Sequence, residues 1–476
     1  MKVAVEGCCH GQLDAIYTSI ASLEERNGYK VSLLLICGDF QAVRNESDLA
    51  CMSVPDKYKE MGEFWKYYTG EKVAPILTII IGGNHEASNY FWELFHGGWI
   101  APNMYFLGHA GCVQVNGIRI AGASGIFGDR DFQQGFWERV PYTPGSMRSI
   151  YHIREYNIMR LSLLTPAPTV FLSHDWPQNI AHHGDKPRLL RAKPFFGADI
   201  DSGKLGSPPM WGLLNNLRPG WWFSAHLHVR FQAQVVWEEG GESEPAVQGS
   251  TAKAPIGNPD EIAIEDDDFD DVGPPVSSDA PPMPTGVNPD EIKLDDLDAG
   301  EEDEKEVAAS LIPGPSEGTS APREWGDGKG WPNTKFLALD KCLPRRQFLE
   351  IVDIPEPSHS APSSGPPVLT YDPEWLAITR AFNPFMSTSK YQLRYPEEAE
   401  AREAVATELK WVEENVLDGI RREKRIDECQ VFAATAPGPQ NPGRKGGGAK
   451  QPTQHTPSPQ TAAFCTMLGI ENKVDR

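Results

Sequence analysis

Cysteine, histidine, aspartate and asparagine recur at five places where a short apolar run stops: Cys8 with His10, Asp39, Asn84 with His85, His174, and His226 with His228. Thiolate, imidazole and carboxylate groups are ligands for divalent transition metals, and an asparagine carbonyl can supplement them. His226 and His228 lie two apart and share one face of an extended strand, whereas the adjacent Cys8 and Cys9 point oppositely, so only one of that pair can face a common site. Taken singly, each group has an ordinary reading: a small buried thiol, a turn-tying Asp or Asn, a hydrogen-bonded core imidazole. Five such groups after five strands point to one shared metal cluster.

The elements that must position them follow from the apolar runs. Ile76 to Ile81 reads as a strand buried on both faces that stops at Gly82-Gly83, where the chain can turn tightly or be approached closely. Val3 and Val5 precede Gly7-Cys8-Cys9-His10-Gly11, after which Leu13, Ile16, Ile20 and Leu23 recur at helical spacing. Val31 to Cys37 is a further strand, ending at Gly38-Asp39. Three βα-like units of this kind predict a layered α/β domain, with sites collecting at the strand ends. Asn116-Gly117 between Val113 and Ile120 predicts a two-residue hairpin turn. A long stretch without periodicity follows Gly122, then helical character over 149–163, a strand ending at Ser173, another at Trp221 to Ser224, and one from Phe231 to Val236. Farther on, 334–340 and 346–351 read as two strands around a turn at Pro344 that return to the main sheet, and 373–427 is mainly helical.

Composition limits what surrounds this domain. Glycine and proline together make 85 residues, and 28 of the 41 prolines fall after residue 240. Of the formal charge of −22, a net of −18 falls within residues 241–306, where 21 acidic side chains face 3 basic ones. Net charge therefore describes a linker rather than a catalytic surface, and does not exclude a nucleic-acid substrate. Residues 241–325 read as an acidic, disordered linker containing an imperfect repeat, Asn258 to Ile262 and Asn288 to Ile292. Low-complexity duplication accounts for the repeat more simply than docking motifs do. The eight cysteines show neither a disulfide framework nor zinc-finger spacing, which suits a reducing compartment. The chain enters a strand at Lys2 without a leader pattern, and no apolar run is long enough to cross a bilayer, so a soluble intracellular protein without a membrane partner is expected.

The order Cys8-Cys9-His10-Gly11, Gly38-Asp39, Gly83-Asn84-His85-Glu86, Ser173-His174-Asp175 and Ala225-His226-Leu227-His228 resembles the calcineurin-like metallophosphoesterases, and within them the RNA lariat debranching family. The resemblance covers residues 1 to about 240 and Thr334 to Ile351. The superfamily usually begins with aspartate where this chain has Cys8, and cysteine there is a feature of the debranching family. Ala225 stands where the superfamily commonly has glycine, a small departure that adds no competing ligand. The resemblance implies a four-layer α/β/β/α sandwich with a C-terminal extension. With the compositional reading added, the expected partition is a catalytic domain over 1–240 with an RNA-recognition insertion at 127–157, the linker at 241–325, a strand and helix region packing on the core at 326–432, and a disordered tail at 433–476.

For the site, the resemblance implies one or two divalent ions, iron, zinc or manganese. Cys8, His10, Asp39 and His228 would face one, Asp39, Asn84, His174 and His226 the other, and Asp39 would bridge. His85 is the implied catalytic histidine, donating a proton or hydrogen bond to the departing ribose oxygen. The implied reaction is in-line attack by metal-activated hydroxide on the 2′,5′-phosphodiester at an intron lariat branchpoint, in the nucleus. RNA-processing proteins recruited by the acidic linker are further expected partners. Another calcineurin-like phosphoesterase activity and a noncatalytic RNA-processing scaffold are the competing readings.

Arg130, Arg139, Arg148 and Arg154, interleaved with Phe132, Phe136, Trp137 and Tyr142, suit phosphates and exposed bases. Core packing is the alternative for the aromatic set. Lys186, Arg188, Arg191 and Lys193 form a second basic patch that could track a branch of RNA or be a solvated surface. Arg421 to Arg425 is basic enough to act in nuclear import, and equally suits a solvated helix face.

Overall fold

Alternation along the first strands sends side chains to two different covers. Val3, Val5, Leu33, Leu35 and Ile79 enter one apolar cluster, together with Val113, Val115, Ile118 and Ile120. Their immediate neighbours Ala4, Leu34, Ile36 and Ile80 enter another, with Leu13, Ile16, Ile20 and Leu23 of the helix Leu13–Asn27. A strand covered on both faces offers no solvated side, which is why these runs are mainly apolar, and the buried Thr78 among them is satisfied by the Tyr17 hydroxyl at 2.9 Å.

This is seen in a computed structural model that describes residues 1–165, 167–237, 331–357, 365–420, 422–443 and 448–475. The expected acidic linker and both copies of its repeat lie outside these residues. In chain order the described strands are β1 (Lys2–Glu6), β2 (Leu33–Ile36), β3 (Leu77–Ile80), β4 (Gly98–Ala101), β5 (Met104–Phe106), β6 (Ala110–Val115) and β7 (Ile118–Ala123). They continue with β8 (Val170–Ser173), β9 (Trp221–Ser224), β10 (Phe231–Val236), β11 (Asn333–Ala338), β12 (Leu349–Asp353) and β13 (Leu369–Tyr371). One six-stranded sheet has the order β12-β1-β2-β3-β5-β4, and a seven-stranded sheet the order β10-β11-β9-β8-β7-β6-β13. In the first sheet β1, β2, β3 and β5 run parallel. In the second, β7, β8, β9 and β11 do. The helices Glu155–Ser162, Pro208–Leu217 and Pro373–Phe382 add Leu161, Leu213 and Leu376 to the cluster that the sheets share. Two mixed sheets packed with helices thus make an α/β fold. Among the described residues no helix is long and apolar enough to cross a membrane.

The hairpin forms where its turn residues place it: Asn116 and Gly117 have φ of 49° and 80°, and Val115 faces Ile118. The strands flanking Pro344 differ from expectation. They do not return together: β11 inserts between β9 and β10, while β12 pairs with β1 in the other sheet. Their backbone groups are claimed from both sides, since Leu339 N–H donates to Ser224 O at 3.2 Å and Gly7 N–H to Phe348 O at 3.0 Å. The segment between them therefore crosses from one sheet to the other.

A second correction concerns the tail, expected to be disordered beyond Phe432. It holds the helix Pro459–Leu468, capped by Ser458, with Phe464, Leu468 and Val474 buried. Gln460 accepts from Trp99 N–H and donates to Trp99 O, both at 2.8 Å, and Trp92 Nε1 donates to Val474 O at 3.0 Å. Proline, glycine and polar residues over 437–458 hide a short apolar helix whose reason to be ordered is long-range. Phe464 is 1% exposed and stacks on His96 at 5.2 Å between ring centroids. Phe464→Ala is expected to cost about 3–5 kcal/mol, read as a lower urea midpoint at unchanged slope. An unchanged midpoint would place the tail outside the cooperative unit.

Candidate metal centre

Five loops carry the candidate ligands, and each follows the carboxyl end of a parallel strand: β1, β2 and β3 in one sheet, β8 and β9 in the other. Ligand sites in open α/β sheets form at such ends. Here the ends of both sheets contribute.

Cys8, His10, Asp39 and His228 each bring one ligand atom into a group whose members all lie within 4.8 Å of one another. His10 Nε2 is 3.5 Å from His228 Nε2 and 3.7 Å from Asp39 Oδ2. Two imidazole nitrogens turned towards each other, beside a buried carboxylate oxygen without a hydrogen bond, are an arrangement that a cation satisfies and protein hydrogen bonds alone do not. Burial, reinforced by the neighbouring His85 and Lys341 and opposed by Asp39, pushes His10 down to about 4. Burial lowers His228 as well. Both rings are then neutral at ordinary pH, which is the metal-binding form. Burial and the nearby Asp39 and Glu6 push the Cys8 thiol up, so a bound cation is what would favour its thiolate. The Sγ of Cys8 accepts from His226 N–H at 3.1 Å.

A second group adjoins the first through Asp39. His174 Nε2 lies 3.3 Å from Asp39 Oδ1 and 3.2 Å from Asn84 Oδ1, and the His174 and His226 rings are 5.0 Å apart. His174 Nδ1 lies 2.7 Å from Cys37 O, and because a carbonyl only accepts, that nitrogen carries the proton and Nε2 faces the site. Burial works to lower His174, but the charge and hydrogen bond of Asp39, the Cys37 carbonyl and the charge of Glu86 together outweigh it and hold the imidazole above its ordinary value. Burial likewise works to raise Asp39, and His174 and His85 overcome it and hold the carboxyl well below the usual range.

The backbone is contorted to achieve this. His10, Asp39, His226 and His228 have φ of 44°, 46°, 64° and 48°. Residues other than glycine are uncommon in this left-handed region, and such conformations cluster where a site demands them. At Gly83 an added Cβ would overlap Asp39 Oδ1 and lie 2.5 Å from Asp39 N and 2.8 Å from His174 Cε1, so only glycine lets the third loop approach the second.

Two positioning residues escaped the reading of the sequence. Glu86 accepts from Phe40 and Gly83 N–H through Oε1 and from Gln41 N–H through Oε2, each at 2.8 Å, and so ties the loop of Asp39 to that of Asn84. It stands inside the Gly-Gly-Asn-His-Glu run, where an acid beside two turn-forming glycines was the available signal. Gln41 Nε2 lies 3.2 Å from His10 Nδ1, and nothing in its local sequence marks it. His85, the candidate catalytic group, is half-buried, with its N–H donating to Asp39 Oδ1 at 2.9 Å and its ring 5.7 Å from that of His10.

The expected RNA contacts divide. Phe136, Tyr142 and Arg154 are 1%, 5% and 0% exposed and belong to the interior. Arg154 pairs with the buried Glu138 at 2.5 Å, and Tyr142 N–H donates to Gln451 Oε1 at 2.6 Å, so these residues hold the 127–157 segment in place and are not RNA contacts. Arg139 is half-buried and donates to the carbonyls of Phe136, Glu138 and Thr388. Arg130 is exposed, and Phe132, Trp137 and Arg148 are partly so. In the second patch Arg188 and Arg191 are exposed, Lys193 is half-buried, and Lys186 pairs with Asp201 at 2.7 Å.

Comparison with known proteins covers both halves of this arrangement. Residues 1–230 match the calcineurin-like phosphoesterase family, and residues 332–473 match the C-terminal domain of the lariat debranching enzyme. The chain is 41% identical over 475 residues to the lariat debranching enzyme of Drosophila melanogaster, covering 99% of this chain and 78% of that one. It is 38% identical over 480 residues to that of Arabidopsis thaliana, covering 100% of this chain and 88% of the relative. The human lariat debranching enzyme is 38% identical over 472 residues, covering 99% of this chain and 69% of its own length.

Proposed function

This chain belongs to the lariat debranching enzymes, within the calcineurin-like phosphoesterases, and from that premise we infer that it hydrolyses the 2′,5′-phosphodiester at the branchpoint of intron lariat RNA. The observation that carries this is the convergence of Cys8, His10, Asp39 and His228 within 4.8 Å, with Asp39 turned at the same time towards His174. Cys8, His10, Asp39 and His228 would hold one divalent ion, and Asp39, Asn84, His174 and His226 a second. Bound there, the metal supplies positive charge against the phosphoryl oxygens and makes water nucleophilic at neutral pH.

The chain's own residues do the rest. Asp39 fixes His85 by accepting its backbone N–H, and His85 gives a proton or hydrogen bond to the departing ribose 2′-oxygen. Gln41 and Cys37 orient the rings of His10 and His174. The exposed Arg130 and partly exposed Arg148, with Phe132 and Trp137 beside them, take RNA phosphates and unstacked bases. Arg188, Arg191 and Lys193 offer a second set of cations for an RNA arm. The four-layer reading of the fold is supported by the helix residues that share clusters with each sheet. An enzyme that acts on excised introns would work in the nucleus. Arg422, Lys424 and Arg425 pair with Glu413, Glu428 and Asp427, which supports a solvated surface over an import signal for the described part of that basic run.

The sulfur ligand favours zinc or iron, and the oxygen and nitrogen donors also suit manganese. The test is cleavage of synthetic branched RNA by metal-stripped protein after separate addition of iron, manganese or zinc, with a linear 3′,5′-RNA as control. Selective opening of the branch is expected with at least one of these ions and none without. A folded, metal-loaded protein that leaves the branch intact would overturn the reading.

A further inference from the structure

The segment that crosses between the sheets runs along the metal centre. After β11 ends at Ala338, Lys341 forms a parallel bridge with Cys8, Cys342 N–H donates to Cys8 O at 3.0 Å, and Cys8 N–H donates to Asp340 O at 3.3 Å. Residues opposed in a bridge project to the same side of the ladder. The neighbouring pair shows which side is which: Cys9 and Cys342 both enter the cluster beneath the helix Leu13–Asn27, whereas Cys8 enters the cluster between the sheets. Lys341 therefore projects with Cys8, towards the metal ligands. Its charge is felt there, being among the influences after burial that lower His10 and His228.

Lys341 is 8% exposed, and two further cations lie near the neighbouring Asp340. Arg346 Nη1 lies 3.4 Å from Asp340 Oδ2. The charges of Arg346 and Lys193 both bear on Asp340, whose carboxyl burial raises. Lys193 comes from the end of the helix Lys186–Ala192 in the catalytic half, and Lys341 and Arg346 from the C-terminal half.

We propose that Lys341 is a substrate-binding residue of the active site, contacting a branchpoint phosphate beside the metal ligands, with Arg346 and Lys193 continuing the track for one RNA arm. A lysine on a four-carbon stem meets a phosphate as a point charge, without the directional demands of an arginine fork. The C-terminal half then completes the reaction centre as well as covering the core. This deepens the reading as an RNA phosphodiesterase and rests on it.

The experiment compares wild type, Lys341→Gln and Lys341→Arg, each metal-loaded, for binding of a short fluorescent single-stranded RNA across a potassium chloride series. Lys341→Gln is expected to flatten the plot of log affinity against log salt by about 0.7, the release of one counterion from a single strand. Lys341→Arg should restore the slope, and metal content and melting temperature should be unchanged in both. A wild-type slope in Lys341→Gln would overturn the proposal. So would a loss of affinity that follows lost metal or lowered melting temperature, since the lysine would then only support the Cys8 strand. The slope is read without cleavage, so failure of wild type to open branched RNA would count against the substrate reading separately.

Discussion

His85→Ala is expected to lower the turnover of branched RNA by about 10²- to 10⁴-fold, the range for loss of a positioned acid, while the protein keeps its metal. The separation follows from the geometry. His85 is tied to the centre through its backbone, N–H to Asp39 Oδ1 at 2.9 Å, and that bond survives in alanine. What is lost is the imidazole on the side of the site where His10 stands, 5.7 Å between ring centroids. A ribose 2′-oxygen leaves poorly as an alkoxide and needs a proton, whereas a nitrophenolate leaves unaided. Hydrolysis of bis(p-nitrophenyl) phosphate should therefore fall much less than that of RNA in the variant. Equal losses on both substrates, or coincident loss of metal by elemental analysis, would refute the acid role.

Gly83→Ala should abolish cleavage by the opposite route, through the metal. The added methyl has no free direction, because it meets the carboxylate and amide of Asp39 and the ring of His174 at once. None of these is the far end of a flexible chain. Asp39 is fixed by the His85 N–H and His174 by Cys37 O. Relief must come from moving the third loop away, which takes Asn84 with it and breaks the bond from Gly83 N–H to Glu86. Metal affinity is expected to fall by at least the roughly 10- to 100-fold typical of losing a residue that supports a ligand, with a destabilisation of about 1–3 kcal/mol from overpacking. Titration of the stripped variant with zinc or manganese, alongside its melting temperature, reads both. Wild-type metal affinity would show that the loop has slack.

All the candidate ligands were legible in the sequence because each follows an apolar run, and a parallel strand buried on both faces announces its own end. The Asn116-Gly117 hairpin was legible for a local reason too. Legibility failed where the cause of order lies far along the chain. Phe136 and Tyr142 look like a base-stacking surface among arginines, and only the tail at Gln451 and the buried pair of Glu138 with Arg154 show them to be interior. The helix Pro459–Leu468 is too short and too isolated in polar sequence to be read alone, yet Trp92 and Trp99 await it across more than 350 residues. Nothing in the sequence singled out Lys341, which lies between two strands that belong to different sheets.

That division also sets an order on synthesis. Every candidate ligand has been made once His228 leaves the ribosome, but β1 then lacks β12 on one side, and β9, which leads into His226 and His228, lacks β11. Both missing strands arrive more than 100 residues later. The nascent catalytic half must wait with two ladder edges open, and pairings so distant in sequence form slowly. A message truncated before residue 333 would yield a chain with a complete set of ligands and no finished sheet to hold them.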